Sequence, residues 1–502
     1  MKKLSLFVLT VGMLVPLAFS TKVTAQSGTD TLAPQVITLK DRISGIEERI
    51  TNAEVDLAKL TKIHLSGYIQ AQWFNYEQTS NYPYNNFMIR RARVKFTYEP
   101  SDGLVFALEP DFQPGNLSIK NAYVQFNDRW LKTFSLWGGK FDRPNYEVEY
   151  SSSNLECLER SRVITTLYPD EKGIGFKLEI APPKTKLKVQ IALLNGNEGY
   201  TYSDANGTVI NAPQNNVDFD GYKDLMARVT YGFKLGRIGG LNIGAHGYYG
   251  KVKANSNDLL NSDYSYNKAE SNQGNSIRRN WAGVEAQLYL DILGGLSLKG
   301  EYIMGINGAP GYATNNAAVN TTSLVDKNDT LFQTLTATVN KVYRPAIERN
   351  FMGYYVYLIK NIGKRNQFAV RYDYYDPNTK ISNDSIGISN YKVTSTTTKN
   401  NIVYSGSGPV LATNTQSITK TVNSYTSGVN DIAYGTWTLA WTYYFTDNLK
   451  IQLAYSIPMN QKLPNEKQVV TSYTVNGGTP GSYDYHTTIP QNFITLRLQA
   501  KF

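Results

Sequence analysis

From Ile63 onward the chain keeps returning to one pattern: apolar and polar residues alternate over a strand's length, and then a turn follows. Alternation of this kind gives a strand one greasy face and one wet face. Strands read at 63–76, 86–98, 103–112, 118–127, 133–142, 171–181, 186–196, 223–234, 240–252, 279–291, 294–307, 348–361, 365–377, 433–445, 448–459 and 491–502. Their connections alternate in length. Pro182-Pro183-Lys184-Thr185, Gly236-Arg237-Ile238-Gly239, Gly294-Gly295 and Thr446-Asp447 are tight turns. The stretches 143–170, 197–222, 253–278, 308–347, 378–432 and 460–490 are long and rich in Asn, Ser, Thr and Gly. An even strand number with short turns at one end and long loops at the other is the rule for bacterial transmembrane barrels. The expected fold is all-β, a transmembrane antiparallel β-barrel of about 16 strands. A soluble sandwich or propeller does not account for lipid-compatible faces such as Ile174, Phe176, Leu178 and Ile180, or Trp437, Leu439, Trp441, Tyr443 and Phe445.

The two ends of the sequence agree with export. Ile494, Leu496, Leu498, Ala500 and Phe502 alternate with Thr495, Arg497, Gln499 and Lys501. A terminal strand closing on an aromatic resembles the C-terminal signal of Gram-negative outer-membrane barrels. At the other end, Lys2 and Lys3 precede an apolar stretch from Leu4 to about Phe19 and then Val23-Thr24-Ala25. That reads as a signal peptide over residues 1–25; a membrane-anchor helix is disfavoured by its short length. The mean hydropathy of −0.37 suits a barrel, since only half of each strand faces lipid. The 37 Tyr, 19 Phe and 6 Trp can furnish interfacial girdles. Loss of Lys2, Lys3 and Lys22 with the signal takes the net charge from +10 to +7. In an exported barrel that excess points to anionic solutes, not to nucleic acid. The single Cys157 permits no internal disulfide.

Between signal and barrel, residues 26–62 carry a heptad repeat. Val36, Ile43, Ile50 and Leu57 fall at a; Leu32, Leu39, Ile46, Ala53 and Leu60 fall at d. Arg42 and Arg49 at g face Glu47 and Glu54 at e, and isoleucine at both a and d favours three strands. The expectation is a short N-terminal helical coiled coil in the periplasm that clamps a homotrimer. An amphipathic helix packed on the protein's own barrel is the alternative.

The strongest chemical signal lies in the second strand. With Ala92, Val94, Phe96 and Tyr98 facing lipid, Arg91, Arg93 and Lys95 stack inward at every second residue. Three like charges on lipid would be very costly, but in a wet lumen they form a track for anions. The same parity adds Lys140, Lys177, Arg228, Lys299, Arg371, Arg497 and Lys501, against Glu109, Asp111, Glu179, Glu285, Glu301 and Asp373. These charges either bias the lumen mildly toward anions or pair across the wall and brace it.

The run Ile89-Arg90-Arg91-Ala92-Arg93-Val94 resembles the second-strand signature of the phosphate-selective porin O and P family. So do Trp137-Gly138-Gly139-Lys140-Phe141-Asp142-Arg143-Pro144, Leu158-Glu159-Arg160-Ser161 and Asp224-Leu225-Met226-Ala227-Arg228-Val229. The likeness covers most of 63–502 and is sharpest over 86–180. It implies a trimeric, 16-stranded outer-membrane channel whose third external loop, here 143–170, folds inward and narrows the lumen. It also implies that Arg91 and Arg93 belong to an anion ladder and that Arg143, Arg160 and Arg162 lie on or near the constriction. This loop departs from a purely basic filter, since it and its edge hold Glu147, Glu149, Glu156, Glu159, Asp170 and Glu171.

No enzyme motif stands out. His64, His246 and His486 are too scattered for a zinc site, and no metal or cofactor is expected. The expected function is passive diffusion of small anionic or polar solutes through a barrel in outer-membrane lipid. A sugar-specific channel would instead use inward aromatics such as Tyr68, Tyr289 and Tyr375. A structural or adhesive envelope protein would use the coil and the long loops.

Overall fold

The computed structural model describes residues 62–77, 85–144, 148–196, 201–203, 209–211, 218, 220–255, 259–263, 265–268, 274–292, 294–314, 322–325, 334–344, 346–381, 388–399, 401–405, 408–412, 418–427, 431–461, 472–473, 481–482 and 492–502, with 46, 47, 49 and 50 ahead of them. The chain separates into two units, Met1–Lys62 and Ile63–Phe502. In the first, Ile46 and Ile50 are helical and each is 52% exposed. The other coil positions, Leu32, Val36, Leu39, Ile43, Ala53, Leu57 and Leu60, lie outside the described residues.

The second unit is a closed antiparallel barrel. Its strands are β1 (Ile63–Tyr76), β2 (Asn85–Ser101), β3 (Leu104–Gln113), β4 (Asn116–Asn127), β5 (Phe134–Asp142), β6 (Lys172–Ile180), β7 (Leu187–Leu194), β8 (Asp224–Lys234), β9 (Gly239–Lys253), β10 (Ser276–Leu290), β11 (Leu296–Ala309), β12 (Ala346–Ile362), β13 (Asn366–Asp376), β14 (Tyr434–Thr446), β15 (Leu449–Pro458) and β16 (Phe493–Lys501). Each pairs with its neighbour in sequence, and β1 closes the ring on β16 from Tyr68↔Lys501 to Tyr76↔Phe493. Closure removes the exposed edges that lipid would not tolerate. Gly67 and Phe502 extend the seam with backbone hydrogen bonds of 3.1 and 3.0 Å. A Cβ at Gly67 would sit 2.6 Å from the Phe502 ring, so this close approach requires glycine.

The barrel is apolar outside and polar inside. Phe176, Val229, Tyr231, Phe233, Trp437 and Leu439 are exposed on the outer face. Gln70, Arg91, Arg93, Asp111, Lys177, Arg228, Glu301, Arg371 and Arg497 are buried within.

Register shifts interrupt the strict alternation in several barrel pairs, and two of them bear on the lumen. In β2, Gln70 faces Arg91 and Ala71 faces Ile89, so Arg90 is the extra residue. In β4, Glu109 faces Asn121 and Pro110 faces Ile119, so Lys120 is extra. A bulge re-aims a side chain, and here it turns a base inward at each place.

The long loops are not uniformly irregular. Tyr312–Thr314, Thr322–Val325, Thr334–Arg344, Ile388–Lys399 and Ile418–Ser427 form a separate five-stranded sheet. Stretches read as polar loops at 308–347 and 378–432 therefore carry paired strands. A short hairpin, Leu259–Leu260 with Tyr266–Lys268, joins β12.

Candidate functional site

The segment between β5 and β6 runs inside the barrel and includes one short helix, α1 (Arg162–Leu167). It starts at β5 and reaches side chains on β13, eight strands away around a sixteen-stranded ring, so it crosses the lumen. Its apolar side chains Val163, Ile164, Leu167 and Tyr168 form one buried cluster with Trp281, Ile303, Phe351, Tyr355 and Tyr375 of the wall. Helix and wall come close at Gly353 on β12, where a Cβ would lie 2.7 Å from the Val163 Cβ.

Polar contacts pin the rest. Ser152 O accepts from Gln70 at 3.1 Å, Ser153 O from Lys450 at 2.8 Å and Gln499 at 3.0 Å, and Leu155 O from Gln452 at 3.0 Å. Glu149 is 1% exposed. Its carboxylate accepts from the Ser161 backbone N and Oγ, both at 2.8 Å, from Arg371 at 3.0 Å, and from the Tyr357 hydroxyl. Ser161 precedes α1 but turns its hydroxyl to Glu149 instead of capping the helix.

The expected basic ladder does face the lumen, but its arginines are engaged. Arg93 contacts Asp111 at 2.9 Å and Glu171 at 2.7 Å. Arg91 lies 3.7 Å from Glu159 and donates to Gln70 at 3.0 Å. Arg371 sits between Glu149 and Asp373, the latter at 3.1 Å, and Arg228 pairs with Glu285. Lys95 is half-buried, its ammonium 5.8 Å from the Tyr123 ring centre. Lys140 meets Asp170 at 3.0 Å. Lys177 lies 4.4 Å over the Trp137 ring and donates to Asp142 O at 3.1 Å. Loop carboxylates thus dock on much of the ladder.

The remaining loop residues divide by role. Arg143 is 3% exposed and donates to Lys172 O at 2.9 Å. Arg160 pairs with Glu171 at 2.6 Å and donates to Glu149 O at 2.9 Å. Glu156 pairs with Lys299 at 2.7 Å. Arg162 stays exposed, 4.2 Å over the Tyr434 ring. Glu147 lies outside the described residues. Burial pushes the Cys157 thiol up to about 12, which makes it a poor nucleophile.

The densest charge cluster surrounds Glu159. Arg90 donates to it through two nitrogens at 2.8 and 2.9 Å, the bidentate geometry that guanidinium favours. Arg91 and Arg497 approach from either side. Leu158, in the left-handed region at φ 65, turns its carbonyl onto Arg497 at 2.6 Å. Burial opposes charge on Glu159, but Arg91, Arg497 and Arg90 outweigh it and hold the carboxyl below the usual range. The same contest leaves Glu171 well below its usual range, through Arg160 and Arg93, and Asp170 lowered through Lys120 and Lys140.

Parity missed Arg90 and Lys120, although the signal was present. In β2 the outward apolar residues are odd-numbered at Phe87 and Ile89 and even-numbered at Phe96 and Tyr98. In β4 they switch from Leu117 and Ile119 to Val124 and Phe126. Such a switch marks a bulge between them. Of the aromatics considered for a sugar path, Tyr375 is 4% exposed beneath the loop, Tyr68 is hydrogen-bonded to Ser152 at 3.2 Å, and Tyr289 is 42% exposed. Among the described residues no group of His, Cys, Asp or Glu is placed to hold a metal ion.

No curated protein matches the sequence. Several solved barrels are similar in fold. OprB of Pseudomonas putida shares 9% identity at TM-score 0.45, over 90% of this chain and 96% of its own. An anion-selective porin from Comamonas acidovorans shares 9% at 0.44, over 88% and 99%. The trimer form of OmpT from Vibrio cholerae shares 10% at 0.42, over 88% and 99%. The sequence model for phosphate-selective porin O and P matches residues 63–475, most of the 502 residues, and the chain belongs to that family of outer-membrane channels.

Proposed function

We propose that this channel passes small polar solutes by diffusion and favours anions, phosphate among them. The observation that carries the reading is the charge ratio around Glu159, where Arg90, Arg91 and Arg497 meet one carboxylate, a local excess of two positive charges. The Glu159 and Arg90 side chains keep 39% and 31% of their surface exposed. A second excess lies at Asp170, shared by Lys120 and Lys140. Around Arg371 the balance is reversed by Glu149 and Asp373, so the preference is mild. An anion shedding water at Arg90 regains hydrogen bonds from a planar fork already held in place.

Planar-bilayer recording in a potassium chloride gradient tests this. The expected reversal potential lies on the chloride side, and added phosphate reduces the current. A potential on the potassium side refutes the anion preference. No conduction from the folded protein would favour the structural or adhesive alternative.

We also infer a homotrimer clamped by the heptad segment in the periplasm, supported by the a and d spacing and by the exposed Ile46 and Ile50. Deletion of residues 31–61 should weaken the trimer on native gels. A truncated protein as robust as the parent would remove the coil from that role.

A further inference from the structure

We propose that the short-turn end of the barrel binds anionic phospholipid headgroups, anchored at the turn between β4 and β5; this rests on the outer-membrane reading above. The turn, residues 128–133, is built around one carboxylate. Asp128 accepts from the backbone N of Trp130 at 3.0 Å, of Leu131 at 3.1 Å and of Thr133 at 3.5 Å. Lys132 adopts φ 52, a left-handed conformation that a non-glycine residue rarely takes. This tightly held turn presents Trp130, 85% exposed, and Leu131, 67% exposed, between the exposed Arg129 and Lys132.

Phe126, Phe134 and Leu136 continue the apolar surface along the outer wall. Tryptophan at the edge of such a band sits at headgroup level, and basic side chains beside it extend toward lipid phosphates. Other turns at this end repeat the sign, with Lys184, Lys186, Lys234, Arg237, Lys364 and Arg365 all exposed. Their exposed acids are fewer, chiefly Glu99, Asp102, Asp291 and Asp447. Charge complementarity therefore selects an anionic over a zwitterionic lipid. A second copy of the chain or another protein covering Trp130 is the competing occupant.

The test places the full chain in bilayers of phosphatidylcholine and phosphatidylglycerol, with bromine on the acyl chains of one lipid at a time. The Trp130 fluorescence is the difference between the parent and Trp130→Phe. We expect stronger quenching by brominated phosphatidylglycerol than by brominated phosphatidylcholine at equal fraction. The Arg129→Gln/Lys132→Asn variant should lower that preference by about fivefold for each charge removed. Asparagine tolerates the left-handed position, so the turn is retained. Equal quenching by the two lipids, or none by either, would overturn the proposal. Conductance from the same membranes separates the two failures: normal conduction without lipid preference refutes only this inference, whereas absent conduction with an unquenched Trp130 refutes the outer-membrane reading beneath it.

Discussion

The Glu149→Ala channel is expected to pass more current per open pore than the parent and to unfold at lower denaturant. Glu149 holds together the start of the inward loop, the residue before α1 and the far wall, through Ser161, Arg371 and Tyr357. Removing it leaves Arg371 buried with Asp373 as its remaining carboxylate at 3.1 Å. Breaking a buried pair costs about 3–5 kcal/mol when one charge is stranded, and Asp373 keeps this case near the lower end. The Tyr357 hydroxyl, 0% exposed as a residue, also loses its acceptor. The loop then loses one of its contacts to the opposite wall, and a loop that withdraws widens the lumen. Glu149→Gln retains the shape and part of the hydrogen bonding, so it should fall between the two. An alanine variant that is less stable yet conducts like the parent would mean that the apolar cluster alone keeps the loop in place.

That apolar cluster shows where reading along the chain stops. Alternation located the wall well: 223–234 was expected and Asp224–Lys234 is found, and 63–76 matches Ile63–Tyr76. A strand's period is local, so one chain segment suffices to reveal it. The partners of the loop are not local. Arg371 and Glu149 are 222 residues apart, and Arg497 and Glu159 are 338 apart. No spacing rule connects them; only barrel closure does. The bulges are an intermediate case, because the switch of apolar parity at Ile89 and at Ile119 is visible in sequence while its consequence, Arg90 and Lys120 facing loop acids, depends on the loop being inside. The five-stranded sheet of the long loops was hidden differently. Strands such as Ile388–Lys399 are rich in Ser, Thr and Lys, and their polarity obscured their β-branched character.

The Glu159→Gln channel should favour anions more strongly than the parent. The change leaves Arg90, Arg91 and Arg497 around an uncharged amide, raising the local excess from two charges to three. One unit charge at about 4 Å in water is worth about 1 kcal/mol, so the permeability ratio should rise by about two- to fivefold, less at high salt. Acid is a second route to the same state, and its sign is fixed by the depressed carboxyl. A carboxyl whose folded pKa lies below its unfolded value, about 4.3, contributes stability above that pH and loses it as pH falls through the folded value. The Glu159 contribution to parent selectivity should therefore stay level from neutral pH down through the ordinary carboxylate range and change only in stronger acid, where loop docking also weakens. Glu159→Gln should already have the higher ratio at neutral pH. If its reversal potential instead matches the parent's, permeating ions do not pass this cluster, and the path must be sought along the other positive excess, where Lys120 and Lys140 share Asp170.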